Sequence, residues 1–272
     1  MYGKLRRGVL AGVLTAAFVA TTAAATTVPR APEPAPPVAL AALCGTDAAA
    51  QGLASGAVPG TLVEAGRADG RTEQFQQFYD DTATNRQLPF VWHRSQDAPG
   101  GAYGAWERVS ATPVGPKLYQ VSAIENGAGG LEVFIASYGG FCHTVSATPG
   151  GAWTPAEVFG LTPPPYHGGL ALFRDAAANL HAFAASSNPY GTIQFRSQYG
   201  GTGGTWGPVG TLPVLPEPNV GLSTPTVTQM STGSLRLVAH EWNADTRYWQ
   251  TSELAPNRGW RPWQPCADST CS

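Results

Sequence analysis

The chain has 272 residues, room for one large domain or two small ones, and with 43% apolar and only 12% charged residues it is far too apolar for a disordered chain. Its 33 Gly and 24 Pro interrupt long helices, whereas 8 Trp, 9 Tyr and 10 Phe suit half-buried strands, so an all-β fold is expected. The formal net charge is -2, and without Lys4, Arg6 and Arg7 the balance is 13 basic to 18 acidic residues, which disfavours nucleic acid as a partner.

Residues 1–25 read as a secretory signal peptide: the three cationic residues, an apolar stretch from Val9 to Ala20 too short for a confident membrane span, and Ala23-Ala24-Ala25 as a small-residue cleavage site. The alternative is a retained N-terminal anchor, but the apolar character fades into Thr21 and Thr22 without a stop-transfer pattern. No other stretch could span a bilayer, and Leu43 before Cys44 argues against lipoprotein processing. Residues 26–43 hold the Pro- and Ala-rich run Pro29 to Pro37, expected to be an extended, disordered linker, and residues 44–272 form the folded domain of a secreted, extracellular protein.

Within that domain one unit recurs. A run of strand formers, Thr72-Glu73-Gln74-Phe75, returns as Leu131-Glu132-Val133-Phe134, Leu180-His181-Ala182-Phe183 and Leu235-Arg236-Leu237-Val238, each after a Gly- or Asn-bearing turn. Third-strand candidates follow at Phe90 to Ser95, Phe141 to Ser146, Thr192 to Ser197 and Arg247 to Ser252. Each unit ends on a ring-bearing strand, with Trp106, Trp153, Trp206 and Trp260 spaced 47, 53 and 54 residues apart. A first strand fits before each, at Thr61 to Gly66, Leu118 to Ile124, Leu170 to Arg174 and Thr226 to Met230. Four short antiparallel strands in about 50 residues make a propeller blade, so the expectation is a β-propeller of four, at most five, four-stranded blades. The units run about 60–111, 116–160, 168–212 and 220–265, with Phe75, Phe134, Phe183 and Val238 at equivalent buried positions. The four tryptophans are expected to join neighbouring blades, because a large side chain repeated in every blade serves the architecture.

Leu131-Glu132-Val133-Phe134-Ile135 with Tyr138-Gly139-Gly140 and Pro149-Gly150-Gly151-Ala152-Trp153, and Gln194-Phe195-Arg196-Ser197-Gln198 with Gly204-Thr205-Trp206, resemble the blade signature of the PLL-like β-propellers, secreted bacterial lectins, and more loosely that of tectonin-type propellers. The resemblance covers about Thr61 to Gln264 and implies glycan binding, with fucose the first ligand to test. Those lectins have seven blades and this chain shows four.

Residues that differ between blades are the better binding candidates. Trp92, Arg94, His143, Phe195, Arg196, Arg247 and Trp249 combine rings that can stack on a pyranose with donors for its hydroxyls. His240-Glu241-Trp242-Asn243-Ala244 begins like a zinc-protease helix but lacks the second His, and there is no Gly-x-Ser-x-Gly elbow, phosphate loop or Cys-x-x-Cys pair. No cofactor, metal site or catalytic residue is therefore assigned. Ser95-Gln96-Asp97 with Gly100, Gly101 and Trp106 resembles the sialidase Ser-x-Asp-x-Gly-x-x-Trp box, although the Trp falls several residues late. A sialidase-like glycoside hydrolase needs two groups at a fixed separation, and Glu73, Asp80, Asp81 and Glu132 cannot be brought to one centre from sequence. The readings are thus a non-catalytic carbohydrate-binding propeller that recognises surface glycans, a structural or protein-binding propeller, and that hydrolase. Cys44, Cys142, Cys266 and Cys271 suit an oxidising compartment and allow three pairings. Cys266 with Cys271 closes locally and leaves Cys44 with Cys142; the alternative ties Cys44 to the C-terminal pair and staples the ring.

Overall fold

The alternation of strand formers with Gly-rich turns resolves into four antiparallel sheets in chain order. A computed structural model describes residues 44, 58–79, 89–109, 118–137, 140–148, 151–162, 169–186, 191–200, 204–217, 220–242, 244–266 and 271, all within one unit, Pro37–Ser272. The expected signal peptide and linker lie outside the described residues, as do Asp80 and Asp81.

The first sheet is β1 (Val58–Gly66), β2 (Thr72–Tyr79), β3 (Pro89–Ser95) and β4 (Glu107–Arg108); the second is β5 (Leu118–Glu125), β6 (Leu131–Ser137), β7 (Gly140–Ser146) and β8 (Glu157–Val158). The third is β9 (Leu170–Arg174), β10 (Leu180–Ser186), β11 (Thr192–Gln198) and β12 (Gly210–Thr211). In the fourth, β13 (Thr226–Gln229) and β14 (Leu235–Glu241) lead to β15 (Ala244–Ala255), whose outer partner comes in two pieces, β16 (Arg258–Trp260) and β17 (Gln264–Cys266). This is the all-β, blade-like architecture expected, and among the described residues there are four sheets and no fifth. Phe75, Phe134, Phe183 and Val238 are register-equivalent, lying opposite His93, His143, Phe195 and Gln250, and all four are buried.

The first strands of consecutive sheets lie side by side, and a hydrophobic cluster fills each gap between sheets. Phe75 and Val91 meet Leu131, Val133 and Ile135; Phe134 and Phe159 meet Leu170 and Ala182; Phe183 and Ile193 meet Leu235 and Leu237. Each such large side chain contributes about 1.5–3 kcal/mol by leaving water. Among the described residues no cluster joins the fourth sheet to the first. Both disulfides form, Cys44–Cys142 and Cys266–Cys271, as the spacing favoured.

One edge-on aromatic contact recurs at every gap. Trp153 meets Phe75, Trp206 meets Phe134 and Trp260 meets Phe183, with ring centroids 5.9, 5.7 and 5.9 Å apart at 80°, 90° and 85°. These three tryptophans therefore join neighbouring sheets. Among the described residues Trp106 does not, and here the expected register is corrected. The bridges Gln96–Tyr103, Ser146–Trp153 and Gln198–Trp206 with the pair Glu253–Trp260 place Tyr103 at the repeat position, giving spacings of 50, 53 and 54. Trp106 sits three residues later, edge-on to Phe78 of its own sheet at 5.3 Å. The hairpin sets this register: two residues before Tyr103, Trp153 and Trp206 stand Gly101, Gly151 and Gly204, where a Cβ would run into Asp97 Oδ1, Thr148 Oγ1 and Tyr199 O.

Candidate functional site

In the first three sheets the second residue of the second strand faces the next sheet and carries a polar group at an otherwise apolar gap: Glu73, Glu132 and His181, with Arg236 at the same register position of the fourth. What surrounds it differs at each sheet. At the first gap Glu73 accepts from Arg67 Nε at 2.8 Å and from Arg67 Nη2, and from His93 Nδ1 at 2.6 Å, so the space is filled by a buried guanidinium. Burial pushes the Glu73 carboxyl up, but these donors hold it below its ordinary value. Arg67 stands at the turn position that Asn126 and Asp175 occupy in the next two sheets. Those shorter side chains fold back onto their own turns, accepting from Ala128 and Gly130 and from Ala177 and Asn179.

At the second gap a cleft of about 260 Å³ therefore remains. Its floor is Glu132, which accepts from Gln198 Nε2, Trp206 Nε1 and His143 Nε2, each at 2.8 Å. Burial pushes this carboxyl up, and the His143, Gln198 and Trp206 donors more than offset that, holding it below its ordinary value. With Nε2 donating, His143 presents Nδ1 elsewhere, and its ring stacks on Phe134 at 4.7 Å. Arg196 reaches in from β11: Nε donates to Gly207 O at 2.7 Å, Nη1 to Phe159 O at 2.6 Å and Nη2 to Trp206 O at 3.0 Å, with the guanidinium 4.8 Å from the Phe159 centroid. Of five N–H groups, one on each terminal nitrogen is left for a ligand. Glu157 lines the mouth and is exposed.

At the third gap His181 lies between Ser197 Oγ, 2.9 Å from Nδ1, and Asp175 Oδ2, 3.3 Å from Nε2. Burial pushes the imidazole down against the pull of Asp175, so Nε2–H donates to the carboxylate and Nδ1 accepts the serine hydroxyl. Ser197 is 6% exposed, so this Ser-His-Asp chain is sealed in the gap and serves packing.

Of the seven expected binding residues, His143 and Arg196 line the cleft and the other five do not. Trp249 is 3% exposed, packed between the third and fourth sheets with Phe195 and bonded through Nε1 to Glu241 Oε1 at 2.8 Å, so its face cannot stack on a sugar. Arg247 is on the surface, paired with Glu217 at 2.6 Å and Glu241 at 3.3 Å. Trp92 is 5% exposed and lies with Arg94 on the side of the first sheet turned away from the second. Strand alternation explains the scatter: residues one apart face opposite gaps. Strand pairing puts His93 opposite Phe75 and His143 opposite Phe134, so His143 matches His93, not Trp92. Glu132, Gln198 and Trp206 were not among the expected ligand contacts, although a Glu inside Leu131-Glu132-Val133-Phe134 marks a buried charge.

No protein-family model matches the chain, and no curated protein does. Solved structures do. A protein of unknown function from Dyadobacter fermentans superposes with a TM-score of 0.57 at 10% identity over 81% of this chain and 72% of that one. The NanB sialidase of Streptococcus pneumoniae does so at 0.55 and 8% identity over 79% and 53%, and a PL25 ulvan lyase bound to -[GlcA(1-4)Rha3S]- at 0.51 and 13% over 77% and 57%. The chain thus spans little more than half the length of these two enzymes. At such identities the likeness establishes the propeller fold alone.

Proposed function

We propose that this is an exported, non-catalytic glycan-binding propeller whose ligand site is the cleft between the second and third sheets. The observation that carries the reading is the meeting of Arg196, with two N–H groups to spare, and the His143 ring in one cleft, over a Glu132 whose charge is already met. At about 260 Å³ the cleft is below the range of about 300–1,000 Å³ for drug-sized ligands, which suits one sugar ring. The sugar-directed sialidase and lyase of like fold, the lectin-like blade signature and two disulfides suited to an oxidising compartment support it. Glu132 is ill suited to the general-acid role of a glycoside hydrolase, because its three donors favour the ionised carboxylate.

A glycan array followed by calorimetric titration of the best hit, with fucose included, tests this. Binding lost in both Arg196→Ala and His143→Ala, in protein that still folds, is the expected result. Binding unaffected by either substitution would reject the cleft as the site, and no binding to any glycan would favour a structural or protein-binding propeller. Turnover of a fluorogenic glycoside would make the protein an enzyme.

A further inference from the structure

Among the described residues no apolar cluster joins the first sheet to the fourth, and the sides of these two sheets away from their described neighbours differ. On the fourth, Arg236 Nη1 donates to Cys271 O at 2.9 Å, so the C-terminal disulfide segment lies against it. On the first, strand register puts Glu64, Gln74, Trp92, Arg94 and Arg108 on the side away from the second sheet. Gln74 stands where Val133, Ala182 and Leu237 of the other sheets make the apolar contact with a preceding neighbour. Gln74 thus puts a buried, hydrogen-bonded amide where the other sheets have an aliphatic side chain, beside the rings of Phe78 and Trp92.

Its arginines are stacked. The Arg94 guanidinium lies 4.9 Å from the Tyr103 centroid and 4.5 Å from that of Trp106, and Arg108 lies 3.6 Å from the Phe90 centroid. Arg94 Nε donates to Gln74 Oε1 at 2.8 Å, and Gln74 Nε2 donates to Glu64 Oε1 at 2.7 Å. The nearby carboxylate is thus engaged through Gln74, and neither terminal nitrogen of Arg94 donates to a partner among the described residues. Among the described residues that register puts on this face, Glu64 is the one carboxylate, and Gln74 already engages it.

We propose that this face is a second binding site, for an acidic, uronate-bearing polysaccharide. A sugar carboxylate takes the two terminal nitrogens of Arg94 as a bidentate pair, and the sugar ring lies along the edge of Trp106. Stacking and the Gln74 bond already fix the plane of the Arg94 guanidinium, so little side-chain freedom is lost on binding. A neutral sugar would leave that fork unmet. The site is independent of the cleft: it lies on another sheet and recognises charge.

Electrophoresis of the full chain in native gels cast with polygalacturonate, with neutral dextran or with duplex DNA tests the assignment. Polygalacturonate is expected to retard the protein, less so as salt is raised, and dextran and DNA are not. Arg94→Gln is expected to weaken the retardation about tenfold, with Arg94→Lys between the two because it keeps charge but loses the fork. Should Arg94→Gln not fold, Arg94→Lys and Trp106→Ala, checked by near-UV circular dichroism, carry the comparison. Equal retardation by dextran or DNA, none by polygalacturonate, or folded Arg94 variants that bind like the parent would overturn the proposal. Neutral-sugar binding in the Arg196 and His143 variants reports separately on the cleft.

Discussion

The indole N–H of Trp153 in the second sheet donates to Nε2 of His93 in the first at 3.0 Å. With Nε2 accepting, the imidazole proton resides on Nδ1 and is given to Glu73 Oε1, so one bond both joins two sheets and fixes a tautomer. The same indole packs edge-on to Phe75. Trp153→Phe removes the N–H and keeps a smaller ring against Phe75, an expected loss of about 1–2 kcal/mol, whereas Trp153→Ala removes both and should cost about 3–5 kcal/mol. Urea unfolding of the two variants checks this, and equal losses would mean that the hydrogen bond, not the ring contact, holds the sheets.

Arg67 and Glu73 form an ion pair in which both side chains are at most 1% exposed. Arg67→Met leaves the carboxylate buried with His93 as its remaining side-chain partner, at an expected cost of about 3–5 kcal/mol. Adding Glu73→Leu removes the stranded charge and should restore most of that stability, as measured by the same unfolding. A double variant no more stable than Arg67→Met would contradict this account of the gap.

The blade repeat was legible because Phe75, Phe134 and Phe183 keep one phase along strands that turns delimit. The turn of the first blade was not. Gly101-Ala102-Tyr103 and Gly104-Ala105-Trp106 are equally good strings, and the choice between them is made by the hairpin bonds Gly101 N to Ala98 O and Asp97 N to Ala102 O. The cleft was half legible. Glu132 is visible as a charge in an apolar run, but Gln198 and Trp206 reach it from 66 and 74 residues away, a distance set by how two sheets pack and by no local pattern.

Acid should destabilise the protein in two stages. Burial pushes His181 below its ordinary value of 6.5, so the unfolded chain takes up that proton first. Its contribution is complete above pH 6.5 and is lost as the pH falls below it, by at most about 1.4 kcal/mol per pH unit for one proton. Glu73 and Glu132, held below 4.5 by their donors, add a second loss as the pH falls below that value. Glu253, pushed up by burial, runs the other way and is destabilising once the pH rises past 4.5. His181→Gln should flatten the first stage and keep the second in a chemical-denaturation series against pH. An unchanged first stage would assign that loss to another group.

The two disulfides should differ in worth. Cys44–Cys142 closes a loop with a sequence separation of 98 and ties the chain ahead of β1 to the third strand of the second sheet, where Cys142 is 1% exposed. Cys266–Cys271 spans a separation of 5 and holds the segment whose Cys271 carbonyl accepts from Arg236. Because a cross-link restricts the unfolded chain more when its loop is longer, losing the first is expected to cost about 4–5 kcal/mol and losing the second about 2 kcal/mol. Cys44→Ser with Cys142→Ser, set beside Cys266→Ser with Cys271→Ser, compares them by unfolding midpoint. If the short bridge proved the costlier to lose, its role would be to seat the C-terminal segment on Arg236, and removing that contact with Arg236→Met in the disulfide-intact protein would reproduce the loss.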